Sequence, residues 1–197
     1  MEAGAGMVNV LVDGPPEAAR TYLLAHGAGA PMTSPMLTTI AQTVAGRGIR
    51  VVRFEFPYME KKKKGPPDRQ PILLDSWRRV IEEHGGGPGV VIGGQSMGGR
   101  MASMIADEVG ARALVCFSYP WHPPGKPEQP RTAHLEGLRT PALILQGTRD
   151  PFGSPEDVAS YTLSPSIRIE WMEGGDHSLR KRVSDAAELA AAFILSV

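Results

Sequence analysis

Val90-Val-Ile-Gly-Gly-Gln-Ser-Met-Gly-Gly99 is an apolar run that ends in Gly94-Gln-Ser96-Met-Gly98 and passes directly into a segment with helical spacing. Met97, Met101, Met104 and Ile105 recur at three- and four-residue intervals after the serine. A strand, a sharp turn and a helix are therefore expected, with Ser96 at the turn. This is the pattern of a nucleophile elbow, in which the serine takes a strained backbone conformation and its Oγ stands clear of the sheet edge. Glycines two before and two after it remove side chains that would collide there. With 12 serines and 23 glycines in 197 residues, chance placement would produce about 0.16 such patterns. The flanking strand and helix therefore carry as much of the argument as the motif itself.

The rest of the chain repeats the same alternation. Tyr22-Leu-Leu-Ala25 is an apolar run that closes at His26-Gly27-Ala28-Gly29. Ser34-Pro35 then offers an N-cap and a first-turn proline for a helix carrying Met36, Leu37, Ile40, Ala41 and Val44. Gly46 and Gly48 stop that helix. A strand is expected over 50–57, then a Lys/Gly/Pro-rich loop, and a helix over 71–84. After the elbow come strands over 111–119, 142–146 and 167–172, a short helix near Glu156, and a last helix carrying Val183, Ala186, Leu189 and Phe193. Strands that are nearly continuous apolar runs, alternating with helices, imply a mostly parallel sheet covered on both faces. The expected fold class is thus α/β, a three-layer α/β/α sandwich, with 1–197 as a single domain. Loops after the carboxyl ends of the strands share one edge, where such sheets place their sites.

A serine hydroxyl needs an imidazole to accept its proton, and the imidazole needs a carboxylate to fix its tautomer. Leu143-Ile-Leu-Gln-Gly-Thr-Arg-Asp150-Pro supplies an acid just past one strand, and Ile169-Glu-Trp-Met-Glu-Gly-Gly-Asp-His177 a histidine past the next. The chain order Ser96, Asp150, His177 matches that of the α/β-hydrolase triad. Asp176 and Asp157 are alternative acids, but Asp176 directly adjoins His177, where pairing is awkward. His122 and His134 lie in the Pro-rich connection, and His84 lies on the opposite edge, where exposure is expected. The developing oxyanion requires preorganised N–H donors. Ala28, with Gly27 as the alternative, and Met97 are the expected pair, and His26 is read as a structural hydrogen-bonding residue.

Composition narrows the partners. Lys+Arg and Asp+Glu are both 21, so no net field attracts nucleic acid or an anionic membrane. The one cysteine, Cys116, sits in the apolar stretch Ala113-Leu-Val-Cys-Phe117, cannot form an internal disulfide and is read as a buried strand residue. The segment Met1-Glu-Ala-Gly-Ala-Gly6 has no basic n-region or apolar h-region, and no later stretch offers the roughly 18 apolar residues of a span. A cytoplasmic, soluble protein is expected. No ligand cluster has metal-site spacing, and the His26-Gly-Ala-Gly29 turn lacks the full dinucleotide fingerprint, so neither metal nor cofactor is expected.

The elbow, the His26-Gly segment, Gly147-Thr-Arg-Asp150 and Gly174-Gly-Asp-His177 together resemble a compact α/β-hydrolase from about Tyr22 to the end. Arg53-Phe-Glu-Phe-Pro-Tyr58 and Tyr119-Pro-Trp-His-Pro-Pro-Gly-Lys-Pro127 are similar to stretches of a dienelactone-hydrolase-like branch, whose eukaryotic relatives include a testis-expressed protein and a histone-acetyltransferase-complex subunit. Dienelactone hydrolases proper use a cysteine nucleophile, whereas this elbow has Ser96. The resemblance implies a serine hydrolase acting on a small-molecule ester, thioester or similar acyl bond. The alternative it leaves is a non-catalytic scaffold module with protein partners. The short connection over 120–140 leaves no room for a cap domain. Tyr58 and Trp121 are expected to line a shallow substrate pocket, and Lys61 to Lys64 to form a solvated loop tip.

Overall fold

The computed structural model describes residues 8–61 and 65–197. The amino-terminal segment and Lys62 to Lys64, on which two of the expectations above fall, lie outside the described residues. Seven strands form one sheet: β1 (Val10–Asp13), β2 (Thr21–Ala25), β3 (Arg50–Phe54), β4 (Val90–Gln95), β5 (Ala113–Phe117), β6 (Ala142–Gly147) and β7 (Ile167–Met172). Their order across the sheet is β1-β3-β2-β4-β5-β6-β7; β1 pairs antiparallel with β3 and every other pair is parallel.

Side chains alternate across the strands, and this alternation builds two cores. Leu23, Val52, Phe54, Val90, Ile92, Leu114, Cys116 and Ile144 face one side, where they meet Leu73, Trp77, Val80 and Ile81 of α3 (Gln70–Glu83) and Met101, Ala102 and Ile105 of α4 (Met97–Ile105). Tyr22, Leu24, Val51, Val91, Val115, Phe117, Leu143 and Leu145 face the other side. They are covered by Leu37, Ile40, Ala41 and Val44 of α1 (Pro35–Ala45) and Ala186, Ala187, Ala190, Ala191 and Ile194 of α6 (Val183–Ser196). Two shorter helices, α2 (Pro57–Glu60) and α5 (Pro155–Ala159), complete the set. The α/β/α sandwich is as expected, and the β5–β6 connection holds only a short 3-10 turn, Ala133–Leu135.

Local chemistry sets the element ends. Ser34 Oγ accepts the Leu37 N–H at the start of α1, and Ser154 and Asp157 form a reciprocal capping box on α5. The strand expected over 50–57 stops at Phe54 because Pro57 opens α2. The strand expected over 111–119 is trimmed to Ala113–Phe117, and Ser118 beyond it has φ +53°. Strand β1 was not expected. Its outer residues Leu11 and Val12 are exposed, so it lacks the buried run that marks the other strands. Arg53 holds it to the sheet edge through an ion pair with Asp13 at 2.9 Å, while also donating to Met32 O and Thr38 Oγ1.

The strand order reverses between β2 and β4: the chain leaves β2 toward β3, returns past it to β4, and then proceeds through β5, β6 and β7. At such a switch point the loops after adjacent strands diverge and leave a crevice at the carboxyl edge. His26 to Gly29 follows β2 and Ser96 follows β4, so both sit at this crevice.

Candidate active site

Ser96 occupies the single residue between β4 and α4, with φ +48° and ψ −116°. This is a conformation that non-glycine residues rarely adopt and that surrounding structure must hold in place. The surroundings are tight. A Cβ at Gly94 would lie 2.3 Å from Ala25 O, and one at Gly98 would lie 2.5 Å from His26 O. The two glycines thus let α4 and the β4 end press against the β2 strand and its loop, as the spacing in the sequence required. Ser96 N–H donates to Phe117 O at 2.9 Å, tying the turn to β5.

The three residues singled out from the sequence come together at the carboxyl edge. His177 Nε2 lies 2.9 Å from Ser96 Oγ, and His177 Nδ1 lies 2.8 and 3.0 Å from the two Asp150 oxygens. Asp150 is fully enclosed. Gln146 Nε2 donates to its Oδ2 at 2.8 Å and Phe152 N–H to its Oδ1 at 2.9 Å. Phe152 also stacks on the His177 ring at 4.2 Å between centroids. Gln146 and Phe152 had no signal in the sequence beyond lying near the β6 end. The alternative acids are engaged elsewhere: Asp176 accepts from Ser178 N–H and pairs with Arg180, while Asp157 caps α5 and contacts His122.

A cleft of about 550 Å³ opens over Ser96 and His177, lined further by Gly27, Ala28, Gly29, Ala30, Gln95 and Met97. The N–H groups of Gly27 and Ala28 donate to no acceptor among the described residues. Met97, at the first position of α4, has no intrahelical partner for its N–H. His26 buttresses this loop: its Nε2 accepts the Phe56 N–H at 3.1 Å, and its Nδ1–H donates to Gly27 O at 2.7 Å. Both ring nitrogens are thereby used with the imidazole neutral. Burial pulls its pKa below the ordinary histidine value, partly opposed by the Gly27 contact and the Glu55 charge.

Tyr58 and Trp121 are corrections to the sequence-based expectation, because neither lines the cleft. Tyr58 is buried edge-on against His26, and its OH donates to Ala28 O at 2.9 Å, so it supports the loop from behind. Trp121 is fully buried beside Tyr119 and against Gly153, where a Cβ would come within 2.3 Å of the indole. The cleft wall is instead completed by Arg100, Pro120, Arg131 and Phe152. His84 is half-buried at the end of α3, where exposure was expected.

A second serine and histidine are in contact, Ser103 Oγ and His134 Nε2 at 2.8 Å. Ser103 donates its own proton to Arg100 O at 2.7 Å, so His134 Nε2 must be the donor in this contact. An imidazole donating to a serine cannot accept that serine's proton. Burial, reinforced by the Arg100 charge, pulls the His134 pKa down to about 4. The contact belongs to a buried structural network.

The family model described as the alpha/beta hydrolase domain matches residues 18–194. The chain belongs to this family. Structures of other α/β-hydrolase-fold proteins superpose over nearly its full length. XC6422 from Xanthomonas campestris, described as an α/β serine hydrolase without lid, is 20% identical, with 96% of this chain and 88% of that one covered at a TM-score of 0.73. Dienelactone hydrolase from Anabaena variabilis is 19% identical, with 98% and 93% covered and a TM-score of 0.77. Est1E from Butyrivibrio proteoclasticus, solved with ferulic acid bound, is 15% identical, with 96% and 94% covered and a TM-score of 0.75. At these identities the likeness is one of fold, the α/β-hydrolase architecture.

Proposed function

We propose that this α/β-hydrolase is a cofactor-independent, carboxylesterase-like serine hydrolase acting on a small-molecule ester, thioester or similar acyl bond. The observation that carries the reading is the continuous line from Asp150 through His177 to Ser96 Oγ, with contacts of 2.8 and 2.9 Å. Ser96, at its nucleophile elbow, attacks the acyl carbon while His177 Nε2 takes its proton, and Asp150 stabilises the imidazolium that forms. The N–H groups of Met97 and of Ala28 or Gly27 receive the oxyanion. Collapse of the tetrahedral intermediate expels the alcohol or thiol, which leaves with the proton from His177. Water then adds to the acyl-enzyme with His177 as base, releasing the acid and restoring Ser96.

The short β5–β6 connection supports a site reached directly from solvent, and the serine-nucleophile dienelactone-hydrolase-like branch is the finer placement we favour. A cytoplasmic setting is part of the same reading; among the described residues no helix is long and apolar enough to cross a membrane. Reaction with a fluorophosphonate followed by intact mass tests the mechanism. Stoichiometric adduct on the wild type, absent from Ser96→Ala and His177→Ala, is the expected result. A folded wild-type protein that takes no label would turn the reading toward a non-catalytic scaffold.

A further inference from the structure

Two guanidinium groups stand in the wall of the cleft without a counter-charge. Arg100 and Arg131 both line it, and no aspartate or glutamate does. Neither arginine side chain forms an ion pair or side-chain hydrogen bond among the described residues, and Arg100 Nε is buried with no partner. Burial and the Arg100 charge also lower the pKa of Arg131, as expected for two cations held near each other. Some arginines elsewhere are paired, as at Arg53–Asp13, Arg78–Glu108 and Arg182–Asp185; Arg100 and Arg131 are set apart by standing together in the wall of the cleft over Ser96. Both residues are only half-buried and Arg100 Nε is enclosed, so the cleft wall holds two partly desolvated cations able to make charge-assisted contacts with an anionic ligand.

The positions are also built. Arg100 N–H donates to Ser96 O at 2.9 Å, which places this side chain one helical turn from the serine. Ser103 Oγ donates to Arg100 O, and Tyr119 OH donates to Arg131 O at 3.2 Å. His134 Nε2 reaches both hydroxyls, at 2.8 and 3.4 Å. One buried network of Ser103, Tyr119 and His134 therefore fixes the backbone of both arginines, which come from separate segments 31 residues apart in sequence.

We infer that Arg100 and Arg131 form an anion subsite, so that the preferred substrate is an acyl compound bearing a carboxylate or phosphate group within reach of Ser96. Guanidinium forks match the planar carboxylate and the phosphate oxygens, and charge-assisted hydrogen bonds are the stronger ones. The inference rests on the serine-hydrolase reading for its chemistry, but the subsite itself can be measured without turnover.

The test has two arms. In the first, kcat/KM is compared for mono-p-nitrophenyl glutarate and p-nitrophenyl pentanoate, which differ by a terminal carboxylate. The wild type is expected to favour the glutarate ester, and Arg131→Gln and Arg100→Gln each to reduce that ratio about 10- to 100-fold. Arg47→Gln, altering a surface pair with Glu188, is the control that leaves both rates unchanged. In the second arm, glutarate and inorganic phosphate are titrated calorimetrically into Ser96→Ala, alone and combined with Arg131→Gln. Binding that the arginine substitution removes supports the subsite, and the better ligand names the anion as carboxylate or phosphate. Absence of binding by both ions, or a glutarate-to-pentanoate ratio unmoved by either arginine substitution, overturns it. Binding without turnover of either ester leaves the subsite standing and instead removes the hydrolase reading. Should Arg100→Gln fail to fold, Arg131→Gln decides both arms.

Discussion

Gln146 donates its Nε2–H to Asp150 Oδ2 at 2.8 Å, and this amide and carboxylate are both fully enclosed where β6 ends. With Phe152 N–H on the other oxygen and His177 Nδ1 in reach of both, Asp150 is met by donors on every side. A group so surrounded must be an acceptor throughout.

Asp150→Asn therefore turns one oxygen into an NH2 that faces a donor. The variant is expected to lose about 10⁴-fold in kcat, because the imidazole is left in the wrong tautomer. It is also expected to lose about 1–3 kcal/mol of stability, because a buried donor goes unpaired. Steady-state ester hydrolysis and urea unfolding check the two parts, and a variant near wild-type kcat would exclude Asp150 from the mechanism.

Tyr58→Phe removes the OH that holds Ala28 O. The ring keeps its packing against His26, so the fold is expected to persist with a stability loss of about 1 kcal/mol. The loop bearing the Gly27 and Ala28 N–H groups loosens, and kcat is expected to fall about fivefold with KM little changed. A rise in KM at constant kcat would instead mean that Tyr58 contributes to ground-state binding.

Gly98→Ala places a methyl 2.5 Å from His26 O and 2.8 Å from Ala25 Cβ. Both obstacles belong to the β2 end, which is pinned in the sheet between β3 and β4, so neither can retreat alone. The variant is expected to lose about 1–3 kcal/mol, read from the urea midpoint, with a drop in activity from displacement of Ser96. An unaltered midpoint would show that α4 can shift to accept the methyl.

Stability should fall in mild acid. His26, His84 and His134 all have pKa values lowered by burial, His134 to about 4. Between that value and the unfolded histidine value near 6.5, the unfolded chain binds more protons, so unfolding free energy rises with pH in this window. The contribution of His134 is complete above about pH 6.5 and is lost as pH falls toward 4. Urea midpoints measured between pH 7.5 and 4.5 are expected to drop more steeply for the wild type than for His134→Gln. Equal slopes would show that His134 is not held neutral.

The sheet was legible in the sequence because its central strands are buried on both faces, and such strands read as unbroken apolar runs. Strand β1 was not, since an edge strand with exposed Leu11 and Val12 and an ion pair at Asp13 has no such run. The glycines of the elbow were legible for a steric reason that the structure makes explicit in the Ala25 and His26 carbonyl oxygens. Tyr58 and Trp121 were read as pocket walls because an aromatic residue in a loop is suited equally to a wall or a core. Contacts with residues far away in sequence, His26 for Tyr58 and Gly153 and Tyr161 for Trp121, help to bury them.

The sequence by itself determined the strand–helix alternation, the turn at Ser96, and the order of Ser96, Asp150 and His177 along the chain, because period, glycine placement and strand-end position are local properties. Only the tertiary structure decided that Gln146 and Phe152 enclose Asp150, that Ser103 belongs to a structural network while Ser96 meets His177, and that Arg100 and Arg131 share one cleft. Those facts depend on which segments cross at the β2–β4 switch point and on where buried polar groups find partners, and a hydrogen bond between residues dozens of positions apart leaves no periodicity in the chain.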